Sequence, residues 1–250
     1  MDLAHLLIYG TAVLGMSVFS GIAGAGAGFI ITPAAIFLGL TPAQAVSNNK
    51  FNGIANAIGS LSGLRSYSGH VSKKSIAAIM ALAFLIGLTS PLLITSLESK
   101  WYQITLGIIV LLMIPVMLYK HVGVESVKPS GKRKVIGSIL LSISLFLQGA
   151  FSGGLGALVN VVLMGMLGMT ANEAHITKRW SQLILNVTII IGVLGSNLII
   201  WPVALTGMAT SLIGSSIGAR IAVKRGDMFA VHVLLVLMGA SALALIATAL

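Results

Sequence analysis

Only 8% of the 250 residues are charged while 57% are hydrophobic. That scarcity of charge constrains the fold more than any motif does. A soluble domain carries about 25% charged residues, because its surface must face water. A chain this poor in charge cannot cover itself for water and reads as an all-α polytopic membrane protein. No stretch of soluble composition is long enough to form a second domain. Cysteine is absent, which removes disulfides, thiolate metal sites and a cysteine nucleophile.

The formal net charge is +10, a value that on its own could point to nucleic acid. Its placement points elsewhere. Most basic residues fall in three short inter-helix segments, 65–74, 120–134 and 220–225. Lys and Arg gathered in short loops mark the cytoplasmic side of a membrane protein. No nucleic-acid partner is expected. Met1 to Phe19 has no basic n-region before it and reads as a retained first helix. The localisation expected is the inner (cytoplasmic) membrane, multi-pass.

Apolar segments near 3–22, 43–64, 75–96, 101–119, 135–152, 172–196, 199–222 and 228–249 are each close to the roughly 20 residues a helix needs to cross a bilayer. Phe29 to Leu40 and Leu155 to Met169 are shorter, and both begin inside glycine clusters. They read as half-helices or re-entrant segments.

The chain also repeats itself. Gly39-Leu40-Thr41-Pro42-Ala43-Gln44-Ala45 aligns with Gly168-Met169-Thr170-Ala171-Asn172-Glu173-Ala174. The register carries Lys50 onto Arg179 and Phe51 onto Trp180. Moved by one residue, it carries Gly21, Gly26 and Gly28 onto Gly149, Gly154 and Gly156. The reading is two modules, 1–120 and 135–250, joined by a basic cytoplasmic linker at 121–134. Each module has four long helices and one short segment. The loop after the third segment, counting the short one, is basic in the first copy (Arg65, Lys73, Lys74) and uncharged in the second (Gly195 to Ile200). At the next loop the asymmetry reverses, which is what inverted copies give. Inverted modules with interruptions at matching positions point to a transporter with its site near the midplane.

Two constellations carry the expected chemistry. The first is the pair of glycine clusters, Gly24, Gly26 and Gly28 against Gly153, Gly154 and Gly156. They lack the preceding strand and following acidic residue of a dinucleotide loop. One reading is close helix packing through small residues. The other is a helix break whose bare N–H groups, with the next half-helix N-terminus, hold an anion. The second constellation is the polar third helix of each copy. Asn49, Asn52, Asn56 and Ser60 form one stripe with Lys50 at its margin, and the second copy offers Lys178, Arg179, Ser181 and Gln182. Counted from opposite faces, these cations converge near the midplane. Buried cations need a partner, and acids are scarce, so an anion would complete the site, hydrogen-bonded by Asn, Ser, Gln and Arg. The bland alternative is that Lys50, Lys178 and Arg179 snorkel to the interfaces. Glu173 and His175, which have no counterparts of like chemistry, are proton-coupling candidates. Glu173 could equally be a first-turn acid that favours the helix dipole. Gly214-Ser215-Ser216-Ile217-Gly218 matches a hydrolase elbow in letters only, since it lies within an apolar helix. No metal site, cofactor or enzymatic activity is expected.

The run Ser20-Gly21-Ile22-Ala23-Gly24-Ala25-Gly26-Ala27-Gly28, with Pro33 and Leu38-Gly39-Leu40-Thr41-Pro42-Ala43-Gln44-Ala45, resembles the start of the TauE/SafE (sulfite exporter) family. Gln148-Gly149-Ala150-Phe151-Ser152-Gly153-Gly154-Leu155-Gly156, with Gly168 and Ala174, is similar to that family's second module. The resemblance covers nearly the whole chain. It implies a secondary transporter, in the export direction, for small sulfur-containing anions such as sulfite or organosulfonates. The expected partners are a small anion and the lipid bilayer, with a proton as candidate coupling ion and a homodimer as candidate assembly. An anion channel of the same architecture, or a carrier of a metal or organic solute, are the rival readings.

Overall fold

The computed structural model describes residues 3–24, 28–67, 71–94, 130–151 and 155–249. Every regular element among them is a helix. In chain order these are α1 (Leu3–Ala23), α2 (Gly28–Phe37), α3 (Pro42–Gly63) with a 3-10 turn at Leu64–Ser66, α4 (Lys73–Ile94), α5 (Gly131–Phe151), α6 (Gly156–Gly165), α7 (Ala171–Val193), α8 (Trp201–Arg225) and α9 (Asp227–Ala249). The segment expected at 101–119 lies outside the described residues, as do Gly26, Gly153, Gly154 and most of the 121–134 linker. Gly131 to Lys134, expected to belong to that linker, instead forms the first turn of α5.

α1, α4 and α5 are long and apolar enough to cross a membrane. α3, α7 and α8 are as long but more polar, and most of α3 and α7 is buried. α3 packs against α1, α2, α7 and α8, and α4 packs against α5 and α7. The two short segments are helices of 10 residues each, or roughly 15 Å at 1.5 Å per residue. That is half the hydrocarbon core.

The same local chemistry ends each short helix and begins the next long one. Gly39 (φ 94°) and Gly168 (φ 70°) take the left-handed conformation that only glycine adopts without strain. Two residues on, Thr41 and Thr170 are N-caps. Thr41 Oγ1 accepts from Gln44 N while Gln44 Oε1 accepts from Thr41 N. Thr170 and Glu173 repeat the arrangement. These are reciprocal capping boxes, and they set where the polar third helix of each half starts.

Glycine contacts hold the long helices close. Gly59 and Gly63 of α3 lie against Leu212, Ser215, Ser216 and Ala219 of α8. Gly21 of α1 and Gly214 and Gly218 of α8 bring those two backbones together. Gly87 of α4 and Gly192 of α7 do the same for that pair, the latter against Pro91. α1, α3 and α8 run parallel: Gly10 meets Thr206, Asn52 meets Gly207, and Gly63 meets Ala219. α3 and α7 run antiparallel. Tyr67, just past the end of α3, bonds Thr170 at the start of α7 (3.3 Å). Asn48, near the start of α3, bonds Leu198 O (3.1 Å) and Ile200 N (3.0 Å), beyond the end of α7. The elbow-like string has a packing role, since Ser215 Oγ donates to Ser211 O (2.6 Å) and Ser216 pairs with Ser62 (3.1 Å).

Candidate functional site

Lys50, Lys178 and Arg179 are all buried, at 1–2% exposure, so none of them snorkels to an interface. Each reaches the end of a helix in the other half of the chain. Lys50 Nζ, on α3, donates to Gln148 O (3.1 Å) and Gly149 O (2.7 Å) near the end of α5. Arg179, on α7, donates from NH2 to Ser20 O (2.6 Å) and Ser20 Oγ (3.1 Å) near the end of α1. Its Nε donates to His175 Nε2 (3.0 Å) and its NH1 to Gln182 Oε1 (3.0 Å). Lys178 Nζ donates to Gly24 O (2.5 Å), where the chain leaves α1 with φ 73°. The physical logic is plain: the last carbonyls of a helix lack intrahelical donors and carry the negative end of its dipole.

Among the described residues, no carboxylate joins this cluster. Glu173 is occupied by the Thr170 capping box, and Asp227 Oδ1 accepts from Asn172 N (2.6 Å). Among these residues the cations are met by neutral oxygens and nitrogens and by helix ends. Lys178 is also placed at the wrong end of a helix. A methyl group built on Gly156, the first residue of α6, would lie 2.5 Å from Lys178 Nζ and 3.7 Å from Gln148 Nε2. An ammonium at the positive end of a helix dipole is unfavourable unless an anion lies between them.

The asparagine stripe of α3 turns partly away from the cations. Asn49 Nδ2 donates to Thr32 Oγ1 of α2 (3.1 Å). Asn52 Nδ2 donates to Tyr9 OH of α1 (2.8 Å) and lies against Gly207 of α8. Gln182 Nε2 bridges the halves through Gly53 O (3.3 Å). Ser181 Oγ is spent on Lys178 O of its own helix (2.8 Å). The structure thus gathers Lys50, Lys178, Arg179, Gln182, Gly24 and Gly156 around the helix ends, and sets Asn49 and Asn52 on the α1–α2–α8 side. Gly28 is the buried first residue of α2. At the α1 and α5 ends, carbonyl oxygens of Ser20, Gly24, Gln148 and Gly149 accept from the cations, while Gly26, Gly153 and Gly154 of the glycine clusters lie outside the described residues.

Several groups here carried no sequence signal. Gln148 acts through its backbone carbonyl, and Ser20 through its carbonyl as well as its hydroxyl; side-chain identity does not reveal the carbonyl contacts. Asn160 of α6 (Nδ2 to Ala23 O, 3.1 Å) and Tyr9 lie in apolar-looking runs. The Thr-x-x-Gln and Thr-x-x-Glu spacing of the capping boxes was readable and explains Glu173. Its side chain does what Gln44 does in the first half. At the basic end of the bundle, the Tyr67 phenol has a perturbed titration. Partial burial, with Asp227 and Glu173 nearby, raises its phenol above the ordinary 10.0, against the lowering effect of the Thr170 bond.

Residues 9–245 match the family described as sulfite exporter TauE/SafE. A relative from Haemophilus influenzae (strain ATCC 51907 / DSM 11121 / KW20 / Rd), described as a probable membrane transporter protein, is 26% identical over 212 residues, covering 84% of this chain and 82% of the relative. No solved structure matches the chain significantly. With the family match spanning nearly all of its length, and with apolar helices around a buried polar centre, the chain belongs to the TauE/SafE sulfite exporter family and is a membrane transporter rather than an enzyme.

Proposed function

We propose that the protein exports a small sulfur-containing oxyanion, such as sulfite or an organosulfonate, across the cytoplasmic membrane by alternating access around the Lys50–Lys178–Arg179 cluster. Lys50 and the Lys178–Arg179 pair supply positive charge. Gln182, bonded to Arg179, supplies hydrogen bonds beside the cations, and the starts of α2 and α6 supply helix-dipole donors. The two modules, 1–120 and 135–250, would be inverted copies that rock against each other. The antiparallel course of α3 and α7 supports that arrangement. The basic loops support a cytoplasmic position for their common face. The observation that carries the reading is Lys178, buried at the N-terminus of α6 with no carboxylate among its hydrogen-bond partners. An oxyanion between Lys178 and α6 would satisfy both.

The test is flux in proteoliposomes on adding sulfite, sulfoacetate, thiosulfate, sulfate and chloride in turn. A saturable response to one sulfur oxyanion, with counterflow exchange and loss in Lys178→Gln, is expected. Flux without saturation or exchange would mean a channel. Silence to every anion, with transport of a cation or metal instead, would overturn the proposal.

A further inference from the structure

The two polar third helices are not equivalent, and the difference lies on one stripe. Asn52, Asn56 and Ser60 of α3 are buried at 0–4% exposure. Asn52 Oδ1, Asn56 Oδ1 and Ser60 Oγ have no hydrogen-bond partner. The register that carries Lys50 onto Arg179 carries these positions onto Ser181, Leu185 and Ile189. There Ser181 Oγ is satisfied by its own helix, and Leu185 and Ile189 pack in an apolar cluster with Val46, Ala83 and Ile94. At these three positions the second half is closed, and the unmet oxygens of α7, Asn172 Oδ1 and Thr177 Oγ1, lie nearer its start. The first half has a seam whose oxygens are buried without partners, a state that a packed interior avoids.

The stripe has a direction. At 100° per residue, Asn56 and Ser60 fall between the face of α3 that meets α8 (Asn52, Gly59, Gly63) and the position that meets α7 (Gly53). Tyr67 against Thr170 and Gly53 against Gln182 set the antiparallel register, which brings Asn56 to the level of Arg179. From there Ser60 is one turn nearer the end of α3. That end leads to Arg65, beside the α8 terminus with Arg220, Lys224 and Arg225. The unmet oxygens thus run from the cation cluster toward the basic face.

We infer that Asn52, Asn56 and Ser60 line a route, hydrated when open, that connects the buried cation cluster to the basic face of the protein between α7 and α8. This rests on reading the cluster as a transport site. Water and a passing oxyanion would meet the groups that are unpartnered in the closed arrangement. The polar lining would explain why this seam, and not its apolar counterpart, is built from side chains that closure leaves unsatisfied.

The chain has no cysteine, so single cysteines can be introduced without altering a background. Asn56→Cys and Ser60→Cys would be reconstituted and treated with the membrane-impermeant, negatively charged reagent sulfonatoethyl methanethiosulfonate from either side. Leu185→Cys and Ile189→Cys are the counterpart controls, and Arg65→Cys reports access to the basic face. The expected result is labelling at positions 56 and 60 from the basic side, roughly tenfold or more faster than at 185 and 189, reflecting a locally opening seam. Sulfoacetate, which unlike sulfite does not consume the thiosulfonate reagent, should slow it. Ser60→Cys is nearly isosteric and keeps the test valid if Asn56→Cys misfolds. Equal, negligible labelling at 56, 60, 185 and 189 while Arg65→Cys reacts would overturn the route, as would labelling only from the opposite side. Labelling does not require flux. Labelled seams in a protein that carries no anion would sink the transport reading and leave the route standing.

Discussion

Lys50 and Arg179 each do two things, and their substitution separates them. Each cation caps a helix end in the other half, and a hydrogen bond to a charged group contributes about 1.5–3 kcal/mol. Lys50→Met and Arg179→Met are therefore expected to lose stability by about that amount per bond removed, read as a lower melting temperature in detergent, alongside lost flux. Lys50→Arg keeps a donor for Gln148 O and Gly149 O and should recover most of the melting temperature. Arg179→Lys cannot reach Ser20, His175 and Gln182 from one ammonium, so it should recover less. Equal rescue by both conservative changes would contradict the forked arrangement. Glu173 belongs to a different argument. Glu173→Gln keeps a side-chain acceptor for Thr170 N, as Gln44 does for Thr41 N. Glu173→Ala removes it and should cost about 1 kcal/mol. If flux in Glu173→Gln still follows an imposed pH gradient as in the wild type, Glu173 is a cap and not a proton carrier.

The helix breaks are where backbone geometry and side-chain chemistry meet. Gly24 combines a positive φ with crowding, since an added methyl would lie 2.6 Å from Asn160 Nδ2 and 3.1 Å from His175 Cγ. Gly39 has a positive φ (94°) but open space around it. Gly39→Ala should therefore cost only the left-handed strain, about 1–2 kcal/mol, and leave transport intact. Gly24→Ala adds displacement of Asn160 and His175, next to the carbonyl that Lys178 holds. It should damage flux out of proportion to its melting temperature. Comparable flux in the two variants would argue against Gly24 O as an element of the site.

At the scale of the whole bundle, both ends of the central α3–α7 pair are tied. Tyr67–Thr170 closes the basic end, and Asn48 with Leu198 and Ile200 closes the other. Tyr67→Phe removes one bond and should cost about 0.5–1.5 kcal/mol at neutral pH. The pH dependence follows from the raised phenol. A folded-state value above the unfolded 10.0 gives a stabilising contribution that is complete below 10.0 and fades as pH rises through the folded value. As pH rises above the ordinary 10.0, the wild type should lose more melting temperature than Tyr67→Phe. Parallel curves would mean that Tyr67 titrates as it does in the unfolded chain.

What the residues alone determine here is what short-range physics controls. Charge scarcity dictates helices in a membrane. The Gly-x-Thr signals set where α3 and α7 begin to within one residue of expectation (Pro42 against 43, Ala171 against 172), because left-handed glycines and capping boxes are local devices. The family was legible for the same reason, in glycine runs whose spacing is itself sequence. The partners of the cations were not legible. Which carbonyl Lys50 or Arg179 reaches depends on how α1 and α5 end against the opposite half, a contact between residues more than 90 positions apart. Only the packed helices decide that the asparagine stripe divides, with Asn49 and Asn52 toward α1, α2 and α8, while Lys50 points to α5. A helical wheel fixes angles around one axis and is silent about which neighbour stands at each angle.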